Sequence, residues 1–106
     1  MDRDYTTEDL ARRSSAVVVV EALGAPYYSS GHIPGAVNIP PHRVGELAAL
    51  LLPDPRAPVV VYADSPRSPN AEVVVRQLRA LGYTDVSCYP EGKQGWVEAG
   101  LPLAGS

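Results

Sequence analysis

The segment of the sequence best suited to chemistry follows the apolar run 59–62. It consists of Ala63, Asp64, Ser65, Pro66, Arg67 and Ser68. A tight loop between a buried strand and a helix N-terminus can direct backbone amides and the positive end of the helix dipole at an anion. A cysteine at the start of such a loop would be an activated nucleophile. This chain has Ala63 there, and a methyl group can neither attack a substrate nor carry a sulfur atom.

Loop chemistry alone leaves two interpretations open for this segment: an anion-binding nest, or a plain strand-to-helix connection with a solvated arginine. Arg67 favours the nest because it adds a full positive charge at the loop. Pro66 favours the plain connection, because proline has no amide N–H to offer. Asp64 also argues against an anion, since its carboxylate would repel a bound anion and partly cancel the charge of Arg67.

Cys88 is the only cysteine in the chain, so an internal disulfide is ruled out. It lies near the end of a predicted strand, where a lone cysteine usually behaves as a small hydrophobic residue. The alternative is that it is a displaced nucleophile. No cysteine or glutamate is spaced against His32 and His42 in the way that a metal site requires. We therefore expect no metal site and no cofactor.

Three short segments predict strands, and the uninterrupted apolar runs among them are typical of strands buried on both faces of a parallel sheet. The predicted strands are 17–20, 59–62 and 86–89, and the predicted helices are a short one capped by Thr6 or Thr7, then 43–52, 69–81 and 92–99. In the third helix we expect Ser68 as the N-cap with Pro69 as the first residue, one face formed by Val74, Leu78 and Leu81, and Gly82 as the C-terminal cap. Segment 24–41 has no helical period and is predicted to be a long, ordered loop. The alternation predicts an α/β fold, a parallel sheet flanked by helices on both faces, with ligands bound beyond the carboxyl ends of its strands.

Length and charge narrow the possible functions. A chain of 106 residues has room for one domain, residues 1–106. The formal net charge of -3 provides no electrostatic surface for nucleic acid, and no Lys/Arg cluster is present to hold an anionic membrane. No apolar run approaches the roughly 20 residues of a membrane span. We expect a cytoplasmic location.

The segment 31–40 reads GHIPGAVNIP. It resembles the G-H-I-P-G-A-x-N-I-P signature of rhodanese-like domains, a family of sulfurtransferases and related modules. The resemblance extends along nearly the whole chain. It begins at a first strand that ends in an acid, Glu21, and it ends at Glu91-Gly92-Lys93 and Trp96, which are similar to the family's closing pattern. It implies the family's parallel α/β fold. It also implies structural roles for Glu21, Tyr28, Gly31, His32, Pro34 and Gly35, with the ring nitrogens of His32 tying the loop to the backbone.

In catalytic members, the resemblance implies, the loop cysteine takes a sulfur from thiosulfate or a persulfide and passes it to a thiol or cyanide. That cysteine aligns with Ala63. Some members carry a Cys-x4-Cys-Pro-Asn loop, which Ala63, Ser68, Pro69 and Asn70 match with both sulfurs absent. The family's arginine two residues after the acid is Leu23 here.

The favoured hypothesis is a catalytically silent, rhodanese-like module with a binding or regulatory role. The alternative is a sulfurtransferase that acts through Cys88, through a thiol of a partner protein, or through a native cysteine at position 63. A phosphatase-like or arsenate-reductase-like activity is the weakest hypothesis, because those relatives also depend on the loop cysteine. The expected partners are a small sulfur-containing anion or the thiol of a partner protein.

Overall fold

The computed structural model describes residues 4–105, which form a parallel sheet with helices on both faces. The strands in these residues are β1 (Val18–Glu21), β2 (Val37–Asn38), β3 (Val59–Tyr62) and β4 (Val86–Tyr89), in the order β2-β1-β3-β4. The helices are α1 (Thr7–Arg13), α2 (Ala25–Ser30), α3 (Val44–Leu51), α4 (Asn70–Ala80) and α5 (Gly92–Glu98), with a 3-10 turn at Pro41–Arg43. The predicted fold class is confirmed.

The continuous apolar runs occur because helices cover both faces of the sheet, as predicted. On one face Val59 and Val61 pack with residues of α3 and α4, and on the other Val60 and Tyr62 pack with residues of α1 and α5. All four residues of β3 are buried. The chain that leaves β3 therefore begins in the core and emerges at the carboxyl edge of the sheet.

The prediction of a long, ordered loop over 24–41 is wrong in that this segment contains α2 and β2. Helix α2 has no buried residue, so its sequence carries no apolar period. It forms because the carbonyl of Gly24 accepts from the amides of Tyr27 and Tyr28 at 3.0 and 3.2 Å. Strand β2 is only two residues long and is defined by its pairing with β1. Neither element is long enough to show a period.

The predicted ends of α4 are correct in part. The helix begins at Asn70, with Pro69 at the N-cap position and the Ser68 hydroxyl accepting from the Asn70 amide at 3.3 Å, so the predicted start is one residue early. Leu81 is 54% exposed and does not belong to the buried face. Gly82 has φ 101°, and its amide bonds back to Arg79 while the next amide bonds to Leu78. This pair of bonds confirms the predicted glycine cap.

The predicted N-terminal cap of α1 is Thr6 rather than Thr7. Its hydroxyl accepts from the Asp9 amide at 3.0 Å, and the Asp9 carboxylate accepts from the Thr6 amide at 3.1 Å. These two bonds lower the pKa of Asp9 below its usual value. Of the helices within residues 4–105, none combines the length and apolar character that crossing a membrane requires.

Candidate functional site

The segment Ala63–Ser68 leaves β3 at the carboxyl edge of the sheet, as predicted, and borders a cavity of about 270 Å³. Each of its residues except Asp64 lines this cavity, together with Cys88 and Glu72. Ala63 is only 3% exposed, and its methyl group belongs to the core cluster under α4. The fold thus brings Ala63 and Cys88, the single thiol of the chain, to one cavity.

The backbone amides of this loop are already used within the loop itself. The Ser68 amide donates to the carbonyl of Ser65 at 3.1 Å, and the Arg67 amide donates to the Ser65 hydroxyl at 3.3 Å. The Asn70 amide donates to the Ser68 hydroxyl in the same way. The remaining two positions from 66 to 70 are prolines, which have no N–H. An anion in the cavity would therefore meet few free amides from this part of the loop.

Helix α5 holds the loop from the other side. The amide of Lys93 donates to the carbonyl of Ala63 at 2.9 Å, and that of Gln94 donates to the carbonyl of Asp64 at 2.8 Å. Gly92 permits this approach, because a Cβ at that position would lie 2.6 Å from the Ala63 oxygen. Two amides of the first turn of α5 are thus committed to loop carbonyls.

The two charged residues of the loop are both exposed. Arg67 lines the cavity and has no ion pair among residues 4–105. Asp64 does not line the cavity, although its carbonyl is held by α5. The positive charge is thus nearer to the cavity than the negative one. Because Arg67 is exposed, solvent screening weakens the attraction between its guanidinium and an anionic ligand.

Cys88 lies half-buried at the edge of the cavity, with a carboxylate of Glu72 nearby. Burial, together with the negative charges of Asp4 and Glu72, raises the pKa of its thiol to about 11. Because the thiolate is the nucleophile, a thiol with this pKa is almost entirely in its unreactive form near neutral pH. The environment of Cys88 is the opposite of an activated cysteine's environment.

A buried carboxylate lies behind the loop. Glu21 is fully buried at the end of β1, and its Oε1 accepts from the Tyr62 hydroxyl at 2.9 Å. The same hydroxyl accepts from the amide of Ile33 at 3.0 Å. Lys93 approaches the other carboxylate oxygen, with Nζ 3.1 Å from Oε2. The contact is an ion pair without an aligned hydrogen bond, because Oε2 accepts none from the described residues.

Tyr62 and Lys93 were not among the predicted site residues. The signal in the sequence was indirect: an acid at the end of an apolar strand needs a counter-charge, and Lys93 is the only lysine in the chain. Sequence spacing could not show that the two meet, because they belong to different elements of the fold.

The remaining signature residues build the turn that the Tyr62 hydroxyl holds. The rings of Tyr28 and His32 stack with centroids 3.8 Å apart, and His32 Nδ1 lies 2.9 Å from the carbonyl of Tyr28. Pro34 and Gly35 occupy the middle of a turn in which Gly35 has φ 86°, a value that favours glycine. Gly31 lies against the side chain of Leu103, where a Cβ would be 3.1 Å from a methyl group. These contacts are structural, and no ring nitrogen of His32 lines the cavity.

Potential metal ligands do not converge: no group of three or more His, Cys, Asp or Glu side chains within residues 4–105 could hold an ion.

The protein is an α/β domain with a cavity and a strand-to-helix loop at the carboxyl edge of its parallel sheet. The chain belongs to the rhodanese-like domain family, whose model matches residues 6–99. It is 34% identical over 100 residues to an HTH-type transcriptional regulator of Mycobacterium tuberculosis, a match that covers 92% of this chain and 43% of the regulator. The chain therefore spans less than half the length of that curated relative.

Solved structures show the same fold. A thiosulfate sulfurtransferase from Pseudomonas aeruginosa superposes with a TM-score of 0.83 and 27% identity, covering 97% of this chain and 20% of that one. The rhodanese-like domain of an Anabaena protein superposes with a TM-score of 0.87 and 24% identity, covering 100% of this chain and 81% of that one. The family is related to sulfurtransferases.

Proposed function

We propose that this chain is a rhodanese-like module without sulfurtransferase activity of its own, which serves as a binding or regulatory domain. The observation that carries the proposal is Ala63, a buried methyl group where catalytic relatives have the sulfur-carrying cysteine. Its side chain cannot form a persulfide or any other covalent intermediate.

The loop supports the proposal independently of Ala63. A persulfide or thiosulfate is stabilised by amides that point at its charge. Here the amides of Arg67, Ser68 and Asn70 donate to acceptors within the loop. The loop is thus complete without an anion, which favours the thiol of a partner protein over a small sulfur-containing anion as the ligand of the cavity.

A regulatory role is also consistent with the likeness to a transcriptional regulator. That protein is more than twice as long as the matched segment, so the matched segment is one part of it. A silent domain of this kind would contribute recognition of a partner or metabolite to a longer protein or an assembly. On this proposal the protein works in the cytoplasm.

A second candidate function rests on Cys88, because its thiol lines the same cavity as Ala63. The chain would then be a sulfurtransferase with a displaced nucleophile, or would relay sulfur to a partner thiol. Its raised pKa argues against this candidate, and against a phosphatase-like reaction through the same thiol.

The test is an assay of the purified protein, with its sequence confirmed, for thiocyanate formation from thiosulfate and cyanide. We expect no turnover above a blank without protein. Turnover that disappears in Cys88→Ser would overturn the proposal in favour of the second candidate. Turnover that survives in Cys88→Ser would overturn both. Mass spectrometry after treatment with a persulfide donor should likewise find no added sulfur atom on Cys88.

A further inference from the structure

The buried carboxylate of Glu21 needs a counter-charge. An ionised carboxylate removed from water is strongly destabilised unless it is paired and hydrogen-bonded. Glu21 is fully buried, and the ammonium of Lys93, whose side chain is 13% exposed, lies 3.1 Å from it. The same ammonium donates to the carbonyl of Tyr27 at 2.9 Å. The Lys93 side chain therefore joins β1 and α2 behind the loop.

The main chain of the same residue holds the loop in front. Its amide donates to the carbonyl of Ala63, and the next amide, that of Gln94, donates to the carbonyl of Asp64. Helix α5 has seven residues, and a helix this short is not stable by itself, so its position depends on its tertiary contacts. The Lys93 side chain supplies two of these contacts, and it belongs to the same residue as one of the two amides that hold the loop.

We propose that Lys93 is a positioning residue, which links the charge of Glu21 to the place and order of the loop at 63–68. The ion pair fixes the first turn of α5. The amides of that turn then hold the carbonyls of Ala63 and Asp64 in place. The coupling does not depend on whether the module is catalytically silent, because it concerns the backbone that any ligand of the cavity would meet.

A stabilising ion pair and a positioning ion pair make different predictions. Lys93→Met alone leaves a buried carboxylate without its counter-charge, so it destabilises the whole protein and does not separate the two roles. In the double variant Glu21→Gln/Lys93→Met the uncompensated charge is gone, and Tyr62 still has an oxygen acceptor at position 21. The free energy of unfolding should recover in this variant. The position of α5 should not, because the ion pair that fixes its first turn is absent.

The experiment is native-state hydrogen exchange on the full chain, read at the amides of residues 93 and 94, which donate to the loop carbonyls. The amide of Val59, which donates to Asp85 at 2.8 Å at the other end of β3, reports on global opening. In the double variant we expect exchange at residues 93 and 94 to be about tenfold faster than in the unaltered protein, with Val59 unchanged. Urea unfolding of the same samples measures global stability.

Protection at residues 93 and 94 that recovers together with global stability would overturn the proposal, because the ion pair would then only stabilise. If the double variant does not fold, the single variant Glu21→Gln gives the same comparison: it retains the ammonium and its bond to Tyr27 but weakens the pairing. Faster exchange at 93 and 94 relative to Val59 supports the coupling, and equal acceleration at all three sites overturns it. Neither result bears on the thiocyanate assay, so the two proposals can fail separately.

Discussion

The hydroxyl of Tyr62 donates to the carboxylate of Glu21 across the register of two neighbouring parallel strands, at a distance of 2.9 Å. Burial and the charge of Glu21 raise the pKa of this tyrosine, so the hydroxyl keeps its proton and remains a donor. Because the same oxygen accepts from the Ile33 amide, it connects the buried acid to the signature turn. Tyr62 is also the residue before Ala63, so a single residue connects the signature turn, through its hydroxyl, to the loop, through its main chain.

Tyr62→Phe should therefore destabilise the protein more than an ordinary loss of a tyrosine hydroxyl. It leaves the Ile33 amide without a partner in the core and removes a donor from a buried carboxylate. We expect a decrease of about 1.5–3 kcal/mol in the free energy of unfolding, the range for hydrogen bonds to charged groups. Urea unfolding followed by circular dichroism measures it.

Tyr83→Phe is the matched control, because its hydroxyl makes one bond, to the carbonyl of Leu52 at 2.6 Å. Its loss should cost about 1 kcal/mol, since both groups are neutral. If the two variants cost the same, the Tyr62 hydroxyl has no special role in connecting Glu21 to the turn.

Gly92→Ala tests the close approach of α5 to the loop. An alanine Cβ would lie 2.6 Å from the Ala63 oxygen and 2.9 Å from the Asp64 carbonyl carbon, so backbone must move. Gly35→Ala is the control: its φ is also positive, but nothing lies within 4 Å of its Cβ. Both substitutions should cost about 1–2 kcal/mol for the left-handed backbone. Gly92→Ala should cost about 1–3 kcal/mol more for overpacking, as measured by thermal or urea unfolding. Equal decreases in the free energy of unfolding for the two variants would show that the loop moves away from the added Cβ at little cost.

The contrast between Gly92 and Gly35 shows what the sequence could and could not predict. The family resemblance includes both glycines, and the sequence predicts β3 and β4 with their observed bounds and β1 one residue early. The steric contact of Gly92 with the loop, like the pairing of Glu21 with Lys93, depends on elements that are distant along the chain. Local spacing carries no information about such contacts.

The same limit applies to the loop itself. Pro66 predicts one missing amide donor, because proline has no N–H and its position is visible in the sequence. The serine hydroxyls that accept from Arg67 and Asn70 are a matter of rotamer and turn geometry. Serine at these positions is also compatible with an open loop, so the sequence alone could not show that the amides are occupied.

The reactivity of Cys88 should follow its raised pKa. Only the thiolate reacts with iodoacetamide, so the alkylation rate should rise about tenfold per pH unit from about pH 7 to about pH 10 and level off near pH 11. Mass spectrometry of quenched samples gives the rate at each pH. Glu72→Gln removes one of the charges that raises the pKa, and should move the profile to lower pH. A plateau already near the ordinary thiol pKa of about 8.5 would contradict the environment described for this residue.

Ala63→Cys should restore a thiol to the loop without restoring an activated nucleophile. In a Cys88→Ser background the alkylation profile reports only on position 63. We expect this thiol to have a pKa well above that of an activated cysteine, because the amides of Arg67 and Asn70 donate to Ser65 and Ser68 rather than into the cavity. Thiocyanate formation should accordingly remain slow.

Adding Ser65→Ala and Ser68→Ala to Ala63→Cys releases those two amides and leaves Arg67 in place. Two further donors near a thiolate stabilise the charged form, so the pKa at position 63 should fall by about one unit or more and turnover should rise with it. Unfolding experiments on both variants check that the loop changes do not act through global stability. Full sulfurtransferase activity from Ala63→Cys alone would mean that the cradle is intact and that the missing thiol by itself explains the inactivity that we propose for this chain. A pKa that does not respond to the serine substitutions would show instead that Pro66 and Pro69, rather than the occupied amides, limit the loop.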